Sequence, residues 1–292
     1  MYCIINGLWK FYIVKETRNY MNDRSLNTVD GELLYCVDNG IMPVNETSNS
    51  ITKIPQYSGN FDSHLVRINN GRMWNRAFNI DVHGFEIIAH KTKVTDFMNA
   101  DTLISEYYLE IEGLVKKHIG AKDIHIFDHT IRTGDDEKRK NFLLREPVKR
   151  VHNDYTDWSG PQRVRDLLPK EADNLLSKRF SIIQLWRPIQ NILEKDPLAI
   201  CDARSIKNSD FIIAERRYPD RVGQTYQIKF NKNHEWFYFP KMTRDEAIIF
   251  KVYDSETDGR SRFTPHTSFV DPNSKLNAPE RESIEVRMLA FF

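Results

Sequence analysis

His152 and Asp154 stand one residue apart in "KRVHNDYTDW" (149–158), with apolar Val151 just before them. On an extended strand, residues two apart face the same way. The pair can therefore be two ligands to one metal, an acid–base dyad, or two polar residues on a strand edge. Alone the pattern is weak, because His-x-Asp arises by chance in chains of this length. "RFTPHTSF" strengthens it by putting His266 on a late strand, 112 positions after Asp154. Two histidines and one carboxylate on one face of a metal, with the other positions open, form the facial ligand set of non-haem Fe(II) oxygenases. Neutral imidazoles and a carboxylate suit Fe(II), and three open positions admit a chelating co-substrate together with O2.

Beyond His266, "PERESIEVRMLAFF" carries Arg281, Ser283 and Arg287 on one parity of the last strand. A 2-oxoglutarate co-substrate has a distal carboxylate to be anchored away from water, and the planar guanidinium fork matches both of its oxygens. The plainer reading is a surface strand of alternating charge, Glu285 included. Apolar Ile284, Val286, Met288 and Ala290 on the other parity favour an Arg face lining a polar cavity. The order His-x-Asp, long gap, His, then Arg is the one 2-oxoglutarate oxygenases use.

Other candidates carry less. His125 and His129 lie four apart around Asp128 in "HIFDHTIR", but the alternation there is strand-like, which favours a structural or substrate-facing role over a second metal. Trp186 and Arg187 can be core aromatic and edge charge, or an indole beside the cofactor. Trp236, Phe237, Tyr238 and Phe239 read as a buried strand with one aromatic wall, and Cys201 as a small buried hydrophobe. No G-x-S-x-G, Walker A or G-x-G-x-x-G motif occurs, which disfavours the common hydrolase, nucleotide and dinucleotide classes.

The elements that must position these residues follow from periodicity. Residues 1–75 alternate short apolar patches with Asn- and Ser-rich sequence, and "NETSNSITKIPQYSGNFDS" reads as a long loop in an irregular N-terminal arm. "AFNIDVHGFEIIAH" is strand-like with a turn at Gly84. "VTDFMNADTLISEYYLEIEGLVKKHIGA" is the best helix, capped by Asp101 or Thr102 and ended by Gly120. "PQRVRDLLPKEADNLLSKRF" is charged and helical. Strands then dominate: "RFSIIQLWRPI", "PLAICDARSI", "TYQIKFN", "WFYFP", "EAIIFKVYD", "FTPHTSFV" and "SIEVRMLAFF". The pattern predicts an α+β fold built on a β-sandwich or jelly roll with flanking helices, in a single domain over 1–292 with its core from residue 76.

Composition bounds the class. The 42 Lys and Arg against 41 Asp and Glu leave a net charge of +1, without the basic excess of nucleic-acid or membrane-surface binders. Cys3, Cys36 and Cys201 are odd in number and far apart, fitting a reducing compartment with no disulfide framework. The N-terminal apolar run is broken by Lys10 and Lys15 and is too short to span a membrane. The expectation is a soluble cytoplasmic protein whose partner is a small molecule, not nucleic acid or a membrane, with homodimer formation left open. The aromatic and apolar runs "IIQLW" and "WFYF" predict a mostly apolar substrate pocket.

The blocks "VHNDYT", "RFSIIQLWRPI", "PLAICDARS", "WFYFPKMTRDEAIIFKVYDS", "RFTPHTSFVDP" and "APERESIEVR" together resemble the hydroxylase/desaturase family of biosynthetic clusters. That family includes cephamycin 7α-methoxylase small-component-like and gibberellin desaturase-like proteins. The resemblance runs from "HGFEIIAH" to the C-terminus, about 210 residues. It implies a double-stranded β-helix oxygenase that uses Fe(II), 2-oxoglutarate and O2 on a natural-product-like small molecule. His152, Asp154 and His266 are then the iron ligands, and Arg281 or Arg287, with Ser283, contacts the co-substrate. Gln184 stands where relatives tend to have Asn and is the next candidate for that contact. The reaction implied is decarboxylation to succinate with a ferryl-oxo species that abstracts a substrate hydrogen, ending in hydroxylation, desaturation or cyclisation. The alternatives are a Zn-dependent hydrolase or isomerase, or a non-catalytic protein on the same fold.

Overall fold

Runs of β-branched and aromatic residues build two facing sheets, which the computed structural model describes over residues 27–46 and 56–292. In chain order the strands are β1 (Thr28–Cys36), β2 (Val44–Glu46), β3 (Gln56–Tyr57), β4 (Phe61–Asn70), β5 (Phe85–Ala89), β6 (Asp123–Thr133), β7 (His152–Asn153) and β8 (Phe180–Pro188). There follow β9 (Leu198–Cys201), β10 (Phe211–Arg217), β11 (Val222–Ile228), β12 (Trp236–Tyr238), β13 (Glu246–Asp254), β14 (His266–Ser268) and β15 (Glu282–Phe291). One sheet runs β1-β4-β12-β9-β14-β7-β11-β10-β2-β3 and the other β5-β13-β8-β15-β6. Facing sheets of mostly antiparallel strands make the expected jelly roll.

Strand β8 shows how sequence sets the layers. Every residue from Phe180 to Pro188 is buried, so both faces of the strand are covered. Phe180, Ile182 and Trp186 pack with Leu198, Ile200, Phe237 and Phe239 between the sheets. Ile183 and Leu185, on the other parity, pack with Ile284, Val286, Met288 and Ala290 beneath Tyr107, Ile111 and Val115 of the main helix. That helix, α1 (Tyr108–Ile119), continues Ala100–Thr102 through a π turn at Leu103–Tyr107. Asn99 caps it instead of Asp101 or Thr102, accepting from the Thr102 amide at 3.0 Å. Gly120 ends it at φ 69°, as expected. Helix α2 (Asp136–Phe142) follows β6. The charged helical stretch divides into α3 (Ser159–Leu167) and α4 (Ala172–Leu176), because Pro169 has no amide hydrogen to donate and disfavours helical Leu168.

The described part of the N-terminal region, residues 27–46 and 56–75, departs from the irregular arm expected of residues 1–75. Strands β1 and β4 pair along nine residues, from Thr28↔Asn69 to Cys36↔Phe61, and β4 continues the sheet beside β12. Strand β1 alternates: Val29, Gly31, Leu33 and Tyr35 are buried while Asp30 and Glu32 are exposed. A strand with one apolar face has a sheet to cover. Part of the expected loop, Phe61–Ser63, belongs to β4, and residues 47–55 lie outside the described residues, as does Cys3. Cys36 and Cys201 are free and buried. No helix among the described residues is long and apolar enough to cross a membrane.

Candidate metal centre

The three ligand candidates meet where β7 and β14 pair in the middle of the large sheet, with His266 directly opposite His152. One ligand atom from each of His152, Asp154 and His266 lies within 4.8 Å of the others, the one such group among the described residues. The imidazoles are 4.5 Å apart, centroid to centroid.

Hydrogen bonds set which atoms are free. His152 Nδ1 lies 2.8 Å from the Arg150 carbonyl and His266 Nδ1 3.0 Å from the Thr264 carbonyl. A carbonyl only accepts, so both Nδ1 atoms carry the hydrogen and both Nε2 lone pairs are left for a metal. Asp154 Oδ2 accepts from Gln184 Nε2 and, at 3.2 Å, from Arg287 Nε. Its Oδ1 faces His152 Nε2 at 3.6 Å.

The electrostatics suit the ligand roles. Burial and the neighbouring His266 push the His152 pKa down to about 3, so that imidazole is neutral at pH 7. Burial would raise the Asp154 pKa, but Arg287, then His152, outweigh it and hold the carboxyl well below its usual range. Two imidazole Nε2 atoms and one carboxylate oxygen converge here. This donor set fits a divalent iron.

Asn153, on β7 between the ligand candidates His152 and Asp154, had no signal in the sequence. It is fully buried; its Nδ2 donates to the Tyr155 and Val252 carbonyls at 2.7 and 2.9 Å, and its Oδ1 accepts from the Thr264 amide at 3.1 Å. One side chain thus ties β7 to β13 and to the segment leading into His266. Strand β1 anchors the same strand from the other side, since the Val151 amide donates to the Leu34 carbonyl at 2.9 Å.

The basic candidates separate into two environments. Arg287 Nη1 donates to Asp128 at 2.9 Å and Thr130 at 3.1 Å, and its Nη2 pairs with Glu285. With Asp154 on Nε, this guanidinium is committed. Arg281, 2% exposed, donates from Nε to Ser283 Oγ at 2.9 Å and from Nη1 to the Asp196 carbonyl at 3.0 Å. Its guanidinium lies over the ring of Trp186, a core residue, at 5.0 Å. Among the described residues no carboxylate is within ion-pair distance of Arg281. Burial, with the nearby charge of Arg132, lowers its pKa to about 9. Arg281 and Arg132 line a small cavity together with His152, His266 and Glu285. Arg132 is another site residue the sequence did not single out.

Gln184 holds Asp154, while its Oε1 is buried with no partner. Arg187 takes no part: it is buried on the far face of β8, 2.7 Å from His90 Nδ1.

A second cavity, of about 340 Å³, opens on the Asp154 side. The expectation of a mostly apolar pocket is corrected here. Its walls include five arginines and three aspartates. Residues 236–239 do not reach it, because this stretch divides its side chains between two cores, Phe237 and Phe239 in one and Trp236 and Tyr238 in the other. His129 does line the cavity, with Nδ1 2.7 Å from the Tyr108 hydroxyl, whereas His125 does not.

Comparison with known proteins adds to this geometry. The family described as Oxidoreductase/YMDC permease-like domain matches residues 33–291. The hydroxylase/desaturase CTB9 of Cercospora beticola is 34% identical over 256 residues, spanning 80% of this chain and 78% of that protein. The alpha-ketoglutarate-dependent dioxygenase phiK of a fungal species is 31% identical over 240 residues, 80% and 86% of the two chains. The solved structure of the iron and alpha-ketoglutarate-dependent endoperoxidase NvfI superposes with a TM-score of 0.81 at 25% identity, covering 91% of this chain and 98% of that one.

Proposed function

The chain belongs to the fungal hydroxylase/desaturase family of Fe(II)- and 2-oxoglutarate-dependent dioxygenases, and from that premise we propose that His152, Asp154 and His266 hold the iron and Arg281 with Ser283 holds the co-substrate. The observation that carries the co-substrate assignment is Arg281: a buried guanidinium without a carboxylate partner, in a cavity it shares with both ligand histidines. Leaving such a charge unpaired costs several kcal/mol, so an anion in that cavity is its natural complement. Ser283, already oriented by Arg281, offers a hydroxyl to the same anion.

Bound together, Fe(II) and 2-oxoglutarate supply the oxidation, reducing O2 while 2-oxoglutarate leaves as succinate and CO2 and a hydrogen is taken from the substrate. The protein's own residues do the rest. Arg287 and Gln184 occupy Asp154 Oδ2 and so leave Oδ1 as the donor. The carbonyls of Arg150 and Thr264 fix both imidazole tautomers. The large cavity beside Asp154 receives a small organic substrate, and where that cavity places the reactive carbon decides between hydroxylation, desaturation and cyclisation. A zinc hydrolase would give the Arg281 cavity no role.

The test is anaerobic titration of Fe(II) and then 2-oxoglutarate into the wild type and into His152→Ala, Asp154→Ala and His266→Ala, followed by succinate assay in air. Each variant is expected to stay folded and to lose iron binding and turnover. Normal succinate formation by Asp154→Ala would sink the assignment.

A further inference from the structure

Five arginines line the large cavity in a chain whose net charge is only +1. Overall basicity therefore does not explain them. Arg287 is used up by Asp154, Asp128 and Glu285. Arg145, Arg163, Arg216 and Arg221 have no carboxylate within ion-pair distance among the described residues. Of the cavity's aspartates, Asp154 is a ligand, Asp128 is paired with Arg287, and Asp166 accepts from Gln162 at 2.7 Å.

The arginines are set in place all the same. Arg163 lies over the Phe127 ring at 4.8 Å; Arg216 and Arg221 both lie over the Tyr218 ring, at 5.3 and 4.0 Å. The Nε atoms of Arg163 and Arg216 are buried without a hydrogen-bond partner. A buried donor left unmade costs about 1–3 kcal/mol, and two in one cavity point to a ligand that accepts from them. Desolvation, then the charges of Arg216 and Arg287, hold Arg145 below its usual pKa, so like charges crowd this wall.

Resting on the reading that this cavity receives the substrate, we propose that the substrate is a small molecule with at least two anionic groups, carboxylate or phosphate, held by Arg216 from β10, by Arg145 from the segment bridged to β6 and by Arg163 from α3. Guanidinium is suited to both groups, because two parallel N–H donors meet two oxygens. A neutral substrate would leave four cavity arginines without an anionic partner.

The test uses protein loaded anaerobically with Fe(II) and saturating 2-oxoglutarate, so that the Arg281 cavity is filled. Suberate, its uncharged dimethyl ester and pyrophosphate are titrated calorimetrically into the wild type and into the double variant Arg145→Gln/Arg216→Gln. Suberate or pyrophosphate is expected to bind the wild type, the ester not, and the double variant at least tenfold more weakly. Tighter binding of suberate identifies carboxylates; tighter binding of pyrophosphate identifies phosphate. Absence of binding by both anions, equal binding of the ester, or equal binding by the double variant would overturn the proposal. Iron and 2-oxoglutarate loading is measured beforehand. A failure there counts against the metal-site reading, and the anion titrations into the same protein still test the arginine cavity.

Discussion

Arg281 and Arg287 differ in sequence by six positions and in role by what already surrounds them. Arg287 has three carboxylates at hand, and the one it shares with the metal site makes it a support of Asp154. Arg287→Gln removes that support and leaves Gln184 alone on Oδ2. Outer partners of a ligand typically govern 10–100-fold in metal affinity. Anaerobic Fe(II) titration of Arg287→Gln should show a loss of that size, and an unchanged affinity would mean that Gln184 suffices. Arg281→Gln acts elsewhere: losing a buried charge-assisted pair costs about 2 kcal/mol or more, which is about 30-fold in apparent 2-oxoglutarate affinity. Iron affinity measured without 2-oxoglutarate should stay at the wild-type level in this variant.

At the level of elements, two short strands hold the centre, and one side chain locks them. Truncating Asn153 to Ala leaves the Thr264 amide and the Val252 carbonyl without their partners, at about 1–3 kcal/mol for each group that water cannot reach. Urea unfolding of Asn153→Ala should show that destabilisation together with weaker iron binding; a variant as stable as wild type would mean that water replaces the amide. Gly84 makes a second point of fixation. Its φ is +89°, and a Cβ would stand 2.2 Å from Thr264 Oγ1, so Gly84→Ala strains the backbone and displaces the segment before His266. A lower urea midpoint is expected for it as well.

These cases show what the sequence could disclose. The candidate residues His152, Asp154 and His266 that the fold brings together, and the late strands, were legible, because His-x-Asp, a distant His and runs such as 180–188 carry type and period together. The alternation of β1 was equally plain at Val29, Leu33 and Tyr35, but polar surroundings hid it. Asn153 was not legible, since its role depends on carbonyls from Tyr155 and Val252 that only the fold brings near. Strand β10 and its Arg216 were missed for the same reason: neither the pairing of β10 with β11 nor the cavity it borders leaves a local pattern.

The whole molecule carries a buried polar network that makes its stability depend on pH. His234 Nε2 lies 3.1 Å from Asp210, and its Nδ1 3.3 Å from the Tyr35 hydroxyl, which accepts from Trp236 Nε1 at 2.7 Å. Burial lowers the His234 pKa below 6.5 despite the opposing effect of Asp210. Burial alone would raise the Asp210 pKa, but the Lys207 amide, then His234 and Asn231, bring it below 3.8. Both groups therefore bind protons more readily in the unfolded chain, so acid favours unfolding. Stability should begin to fall as pH drops through about 6.5, and fall further below about 4, where unfolded carboxyls protonate. Urea midpoints at pH 7.5 and 5.5 test the first part: His234→Gln should be less stable than wild type but should lose less on going to pH 5.5.

Because His152 and His266 are cross-strand partners 114 residues apart in the chain, iron held by both would join two strands that no local segment brings together. Loop closure and the long-range pairing must come first. Few of these contacts are expected in the transition state for folding, so the metal should find its ligands assembled only after the barrier has been crossed. Bound iron then stabilises the native state by mass action and lengthens its lifetime without hastening its formation. In anaerobic stopped-flow experiments the refolding limb should be the same with and without Fe(II), and the unfolding limb should drop as the metal concentration rises. A refolding rate that climbed with Fe(II) would place the ligands together early, with the metal acting as a nucleus instead of a late clasp.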